Sequence, residues 1–188
     1  MKTTMTMLLT AVAVIAFLVW DVSTLRPAAS GGESDAVKRG EYLVRSTGCG
    51  DCHTPMKNGP AGPEPDMTRD LSGHPETLLM PPAPKLPDGP WLVVASATFT
   101  AWAGPWGISF AANLTSDKDT GLGSWEEKVF VDTIRNGRVR GRGRALLPPM
   151  PFPDLQNLTD DDLKAIYAYL HSLRPIRNKV PDPLPPRH

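Results

Sequence analysis

A chain of 188 residues is long enough for one domain with its own core and short for two. Its 20 Lys and Arg balance 20 Asp and Glu, so no basic field points to nucleic acid as a partner. With 21 prolines and 16 glycines, much of the backbone is expected in loops.

Lys2 is followed by an almost wholly apolar run from Met7 to Trp20. Residues 1–22 read either as a signal peptide or as a membrane-anchor helix. The length of the apolar core suits a signal peptide. Extension to Val22, with Trp20 at the interface, suits an anchor. Ala28-Ala29-Ser30 offers a cleavage site, far beyond the apolar run. Either reading exports the rest of the chain. The expected location is the periplasmic side of a bacterial inner membrane, anchored there or soluble after cleavage. Residues 23–34 are small and polar and read as a linker.

A first helix is expected from Ser34, which would cap it, with Asp35 in the first turn. Gly40, Leu43 and Val44 share one face at helical spacing. A glycine inside a helix costs about 1 kcal/mol against alanine. It makes sense where another helix crosses at close range.

Next comes Cys49-Gly50-Asp51-Cys52-His53, which holds the chain's 2 cysteines. Two thiols at this spacing can each form a thioether with one haem vinyl, and the adjacent histidine then ligates the iron. Structural zinc needs four ligands, and no second pair stands at ligand spacing. A thioredoxin-like dithiol needs a strand before it and a helix after it. The expected cofactor is one covalent haem c, with Cys49, Cys52 and His53 binding it.

From Thr54 to about Gly123 no strong periodicity is visible. Met56 to Pro65, Pro81 to Pro84 and Pro87 to Pro90 are runs of turns. Trp91 to Thr100 reads as a short strand or hairpin arm. A second helix is expected over Trp125–Arg135, with Ser124 and Glu127 as a capping box and Gly137 as the stop. Trp125, Val129, Val131 and Ile134 would supply its apolar face. Arg135 to Arg144 reads as a flexible basic loop. The last helix is the best defined: Thr159 caps it, Asp160, Asp161 and Asp162 suit its positive end, and Leu163, Ile166, Tyr167 and Leu170 line one face. Residues 176–188 form a proline-rich tail, expected to be extended.

An iron held by one histidine needs a sixth ligand, or an open position with chemistry to do. Met150, in the proline-stiffened stretch Pro148-Pro149-Met150-Pro151, is the candidate. Met80, also followed by prolines, and His74 and His171 are alternatives. Trp102 and Trp106 either line the haem pocket or pack in the core.

The order of helix, Cys-x-x-Cys-His, long loop, helix, Met-Pro loop and Leu158-Thr-Asp-Asp-Asp-Leu163 helix resembles the class I monohaem cytochromes c. Asn113-Leu-Thr-Ser-Asp-Lys-Asp-Thr-Gly-Leu-Gly-Ser-Trp125 and Met150-Pro-Phe narrow this to the cytochrome c modules of periplasmic alcohol and gluconate dehydrogenase complexes. The resemblance implies a mainly α cytochrome c fold over 35–175, with few helices around one haem and a long Pro/Gly-rich insertion. It places Gly40 against Tyr167 and Tyr169 where the first and last helices cross. A motif near the start of the domain argues against the four-helix-bundle cytochromes. The implied function is one-electron transfer rather than catalysis. The partners would be a membrane dehydrogenase, a quinol-oxidising complex or a terminal oxidase, with the membrane itself contacted through the N-terminal helix. A haem subunit of a membrane dehydrogenase or of a respiratory or photosynthetic assembly is the alternative, and a haem enzyme with an open sixth position is another.

Overall fold

The structure, a computed structural model, describes residues 34–86 and 88–186. The apolar segment 1–22 and the linker up to residue 33 lie outside the described residues.

Helix α1 runs Asp35–Ser46. The Ser34 hydroxyl accepts from the Val37 amide at 3.3 Å, and Asp35 adds negative charge at the positive end of the helix. Gly40, Leu43 and Val44 are its buried face. The Thr47 amide returns to the Leu43 carbonyl at 2.9 Å. Gly48 then turns left-handed at φ 71°, which swings the chain directly into the short helix α2, Cys49–His53.

The stretch without periodicity holds two small antiparallel sheets. Strands β1 (Met56–Gly59) and β2 (Gly62–Pro65) form a hairpin with Met56 opposite Pro65. Strands β3 (Val94–Ala95), β4 (Ala101–Gly104) and β5 (Gly107–Phe110) form a meander in that order. Only Val94 and Ala95 of the expected 91–100 strand enter a ladder, and Trp91 and Leu92 stay exposed. Strands this short, interrupted by glycine and proline, are too brief for an alternating pattern to register.

Helix α3 runs Glu127–Asn136, starting two residues later than expected. Ser124 does not cap it. The Gly121–Gly123 turn folds back on Asp117, and the Trp125 amide donates to the Leu122 carbonyl at 2.9 Å. The helix therefore begins after Glu126, which occupies the cap position without a side-chain hydrogen bond. Phe130, Thr133 and Ile134 are its buried residues, while Trp125 and Val131 pack half-buried against the same core. Arg135, expected both as the end of this helix and as the start of the basic loop, is helical; it donates to the Leu158 carbonyl at 2.7 Å and pairs with Asp160 at 2.6 Å. Gly137 closes the helix at φ 60°.

After the short helix α4 (Phe152–Leu155), α5 runs Asp160–Ser172, with the Thr159 hydroxyl accepting from the Asp162 amide at 3.1 Å. The core lies between α1, α3 and α5. Leu43 and Val44 meet Leu163, Ile166, Tyr169 and Leu170, and Phe130 and Ile134 close the third side. Each such side chain, once buried, contributes roughly 1.5–3 kcal/mol. The α1–α5 crossing is backbone-tight: a Cβ on Gly40 would overlap the Ala165 carbonyl and lie 2.7 Å from the Tyr169 Cβ. Tyr167 faces elsewhere. Its hydroxyl donates to the Trp125 carbonyl at 2.8 Å and its ring lies 6.0 Å from Phe130. Residues 173–186 follow without helix. They return across the domain, where Asn178 is fully buried and Leu184 bridges to Ile108 of β5.

Candidate haem site

The site is built outward from α2. Cys49 and Cys52 stand three positions apart, so one helical turn places them side by side. Burial pushes both thiols above their ordinary pKa. The protonated thiol is the form kept at neutral pH. His53 ends α2 and is buried. Its Nδ1 lies 2.7 Å from the Ala112 carbonyl, an acceptor, so the proton sits on Nδ1 and the lone pair on Nε2. Burial holds the imidazole below its ordinary pKa, against the opposing pull of that carbonyl, and keeps it neutral. A neutral imidazole with one nitrogen tied back is the form that ligates a metal.

The surroundings fix the ring. The Gly73 amide donates to the His53 carbonyl at 2.7 Å, and the His74 amide to Ala111 at 2.9 Å. Gly73 has φ 78° and packs directly on the Ala111–Ala112 backbone, leaving no room for a Cβ. The neighbouring Thr54 hydroxyl accepts from the Leu71 amide at 3.0 Å and donates to Asp70 at 2.8 Å. Asp70 is gripped through two nitrogens by Arg45, which also donates to the Tyr169 hydroxyl at 3.0 Å. Hydrogen bonding to Asp70 pushes the Arg45 guanidinium above its usual range. One polar chain thus links α1, the loop behind His53 and α5.

Cys49, Cys52 and His53 open onto a cleft of about 600 Å³. Leu163, Ile166 and Leu170 of α5 line one wall, Phe130 and Ile134 of α3 another. Leu146, Leu147, Pro149, Met150 and Leu155 line the cleft as well. Met150 therefore shares a cavity with His53. Met80, His74 and His171 do not line it. His74 is fully buried elsewhere, with Nδ1 at 2.9 Å from the Thr100 hydroxyl and Nε2 at 3.0 Å from the Leu78 carbonyl. His171 is exposed and lies against Tyr167, ring centroids 4.9 Å apart.

The donor set is two thiols, one imidazole nitrogen with a free lone pair, and one thioether, around an apolar cleft. Trp102 also lines the cleft, and its Nε1–H is buried without a hydrogen-bond partner among the described residues. A buried orphan donor costs about 1–3 kcal/mol unless an acceptor meets it. A haem supplies two vinyl groups, an iron and carboxylate acceptors, so these residues fit a c-type haem. Trp106 is not part of the lining; its Nε1 donates to the Ser109 hydroxyl at 3.3 Å.

Sequence reasoning missed several parts. The Ala112 carbonyl that orients His53 carries no side-chain signal. Ser109 and residues 179–183 of the tail also line the cleft. Asn113, inside a stretch read only as a resemblance, donates to the Ile176 carbonyl at 2.8 Å and ties the tail to the site.

Comparison with known proteins points the same way. The chain is 28% identical over 157 residues to the cytochrome c subunit of the quinone alcohol dehydrogenase of Gluconobacter oxydans (strain 621H), covering 82% of this chain and 25% of that protein. It is 33% identical over 141 residues to the gluconate 2-dehydrogenase cytochrome c subunit of Pantoea cypripedii, covering 74% of this chain and 24% of that protein. It is 26% identical over 144 residues to the fructose dehydrogenase cytochrome subunit of Gluconobacter japonicus, covering 77% of this chain and 22% of that protein. The chain thus spans a quarter or less of the length of these relatives. The cytochrome c family model matches residues 37–174, from the first turn of α1 to just beyond α5, and with the attachment motif and its cleft inside that span, the chain belongs to the cytochrome c family.

Proposed function

We propose that this chain is a one-electron carrier holding a single c-type haem, tethered through Cys49 and Cys52 and ligated by His53 and Met150. The observation that carries the reading is the single cleft that all four side chains line. Bound there, the haem supplies an iron that cycles between ferric and ferrous states. The protein supplies the rest. Cys49 and Cys52 fix position. His53, held through Nδ1 by Ala112, presents Nε2 in one orientation. Met150, a soft thioether, favours the ferrous state and raises the potential relative to stronger donors. Apolar walls from α3 and α5 exclude water and lower the cost of leaving ligands in place as the charge changes.

The relatives are named as cytochrome subunits of alcohol, gluconate and fructose dehydrogenases, which supports a dehydrogenase as electron donor. A quinol-oxidising complex as donor, or a terminal oxidase as acceptor, completes the route. The proposed site of action is the periplasmic face of the inner membrane, with residues 1–22 as anchor or cleaved signal. The N-terminus separates the last two: intact mass starting at Met1 means an anchor, and a start at Gly31 means a soluble carrier.

The test of the core reading is direct. The denatured protein should retain one haem through acid–acetone extraction, and haem that extracts freely would end the c-type reading. Met150→Ala should abolish the weak near-infrared sulfur–iron absorption and lower the reduction potential. Persistence of that band would move the sixth ligand elsewhere.

A further inference from the structure

Between Asp132 and Asp154 the chain has no acidic residue, yet it carries Arg135, Arg138, Arg140, Arg142 and Arg144. Arg135 is neutralised by Asp160. The other four are not paired with any acid among the described residues, and all four are exposed.

The segment is built, not slack. The Val139 amide donates to the Arg144 carbonyl at 3.0 Å and the Gly143 amide to the Val139 carbonyl at 2.8 Å. Arg138 and Ala145 form a β-bridge. The reversal uses left-handed residues at Arg140 (φ 53°) and Gly141 (φ 75°). Arg140 lies over the Trp125 ring at 5.0 Å, which anchors the tip. Arg138 and Arg144 donate only to backbone carbonyls, of Gly143 at 2.9 Å and Ala145 at 3.2 Å, so their charges remain uncompensated. Asp132 lies beside Arg140 and Arg142 at a shallow depression, but Lys128 already pairs with it at 2.6 Å.

Position makes this charge useful. Val139 and Arg144 line the same cleft as His53 and Met150. The formally neutral chain therefore concentrates positive charge at one rim of its redox site. An electron leaves most readily across the shortest path from that site, and a charged rim raises the rate at which a partner of opposite charge meets that face. We propose that Arg138–Arg144 is the docking face for the redox partner, and that the partner presents carboxylates there. Guanidinium groups suit that task because each can hold a carboxylate through two parallel hydrogen bonds. This inference rests on the electron-transfer reading above. In the docked pair one electron passes from the ferrous protein to the oxidised partner and no other group moves.

The test uses the full holoprotein, reduced and mixed rapidly with two oxidants. One is plastocyanin, an acidic copper protein whose copper(II) takes the electron. The other is the cationic cobalt(III) tris-phenanthroline complex. The variants are R138Q/R140Q/R142Q and R138Q/R142Q, the second of which keeps Arg140 on Trp125. At low ionic strength the triple variant should lose on the order of tenfold in second-order rate with plastocyanin, and the double variant a smaller part of it. With the cobalt complex the rate should hold or rise. The plastocyanin difference should collapse at about 1 M salt, where screening shortens to about 3 Å. Equal rates for wild type and variants with plastocyanin at low salt would overturn the docking face. So would loss of binding to anionic phospholipid vesicles with an unaltered plastocyanin rate, which would make the loop a lipid contact. Haem content, spectrum and potential are measured on every sample. If covalent haem is missing from wild type, the electron-transfer reading falls; if it is intact and the rates do not respond to charge, only the docking face falls.

Discussion

His53 and His74 show how two buried imidazoles are put to different uses. His53 spends one nitrogen on a backbone carbonyl and keeps the other free beside the cleft. His74 spends both, on Thr100 and Leu78, and its ring lies 4.8 Å from Phe110. Burial holds the His74 pKa below its ordinary value, helped by the positive charge of Arg69 and opposed by the Leu78 carbonyl. The unfolded chain protonates this imidazole near pH 6.5, and the folded one resists until lower pH. His74 therefore contributes stability that is full above about pH 6.5 and is lost as pH falls toward the folded value. Denaturant unfolding at pH 7 and pH 5 should show this loss in the wild type, and His74→Gln should flatten it. Trp102 gives a second test at this scale. If its buried Nε1–H donates to a haem carboxylate, that proton should be strongly protected from solvent exchange in the holoprotein. Exchange as fast as that of exposed Trp91 would remove it from the haem's surroundings.

At the scale of the element, the α1–α5 crossing brings backbone against backbone at Gly40 and Ala165. Gly40→Ala asks the two helices to separate, because the new methyl meets backbone rather than a movable side chain. Overpacking of this kind costs about 1–3 kcal/mol, and valine should cost more than alanine. Chemical denaturation of the holoprotein measures both. Helices α1 and α5 were legible in the sequence because Ser34 and Thr159 are true caps and the apolar spacing runs uninterrupted behind them. The attachment motif was legible because its chemistry is carried by side chains. The start of α3 misled because Ser-x-x-Glu matches a capping box whatever the chain is doing, and here Ser124 was already committed to a turn. Apart from β3, which lies inside the expected 91–100 strand, the strands were missed because each is only 2 to 4 residues long. The Ala112 carbonyl was missed because contact with His53 is set by tertiary folding, not by residue type.

For the molecule as a whole, Asn178 is the point where the tail becomes part of the domain. Its amide nitrogen donates to the carbonyls of Ser72 at 2.7 Å and His74 at 2.9 Å, while its oxygen accepts from the Glu76 amide at 2.9 Å and from Arg69 at 3.0 Å. Asn178→Ala would strand these groups in the interior, at about 1–3 kcal/mol for each one left unmet. The expected outcome is a loss of at least about 3 kcal/mol, read by denaturant unfolding. Limited proteolysis should then cut first in the segment after α5.

The pairing of α1 with α5 also sets an order of events in biogenesis. The helix that closes the domain over Cys49–His53 is synthesised after the motif, more than a hundred residues further along the chain. Until α5 arrives, α1 lacks the surface it packs on, and the two thiols and the imidazole stand on an open chain. Thioether formation at this stage would act on a short exposed peptide rather than through a narrow opening in a finished protein. A chain ended after α3 should still acquire covalent haem, yet remain protease-sensitive. The late helix would then act as a closing bolt: the tether is made while the door is open, and the walls that govern the iron's potential are installed afterwards.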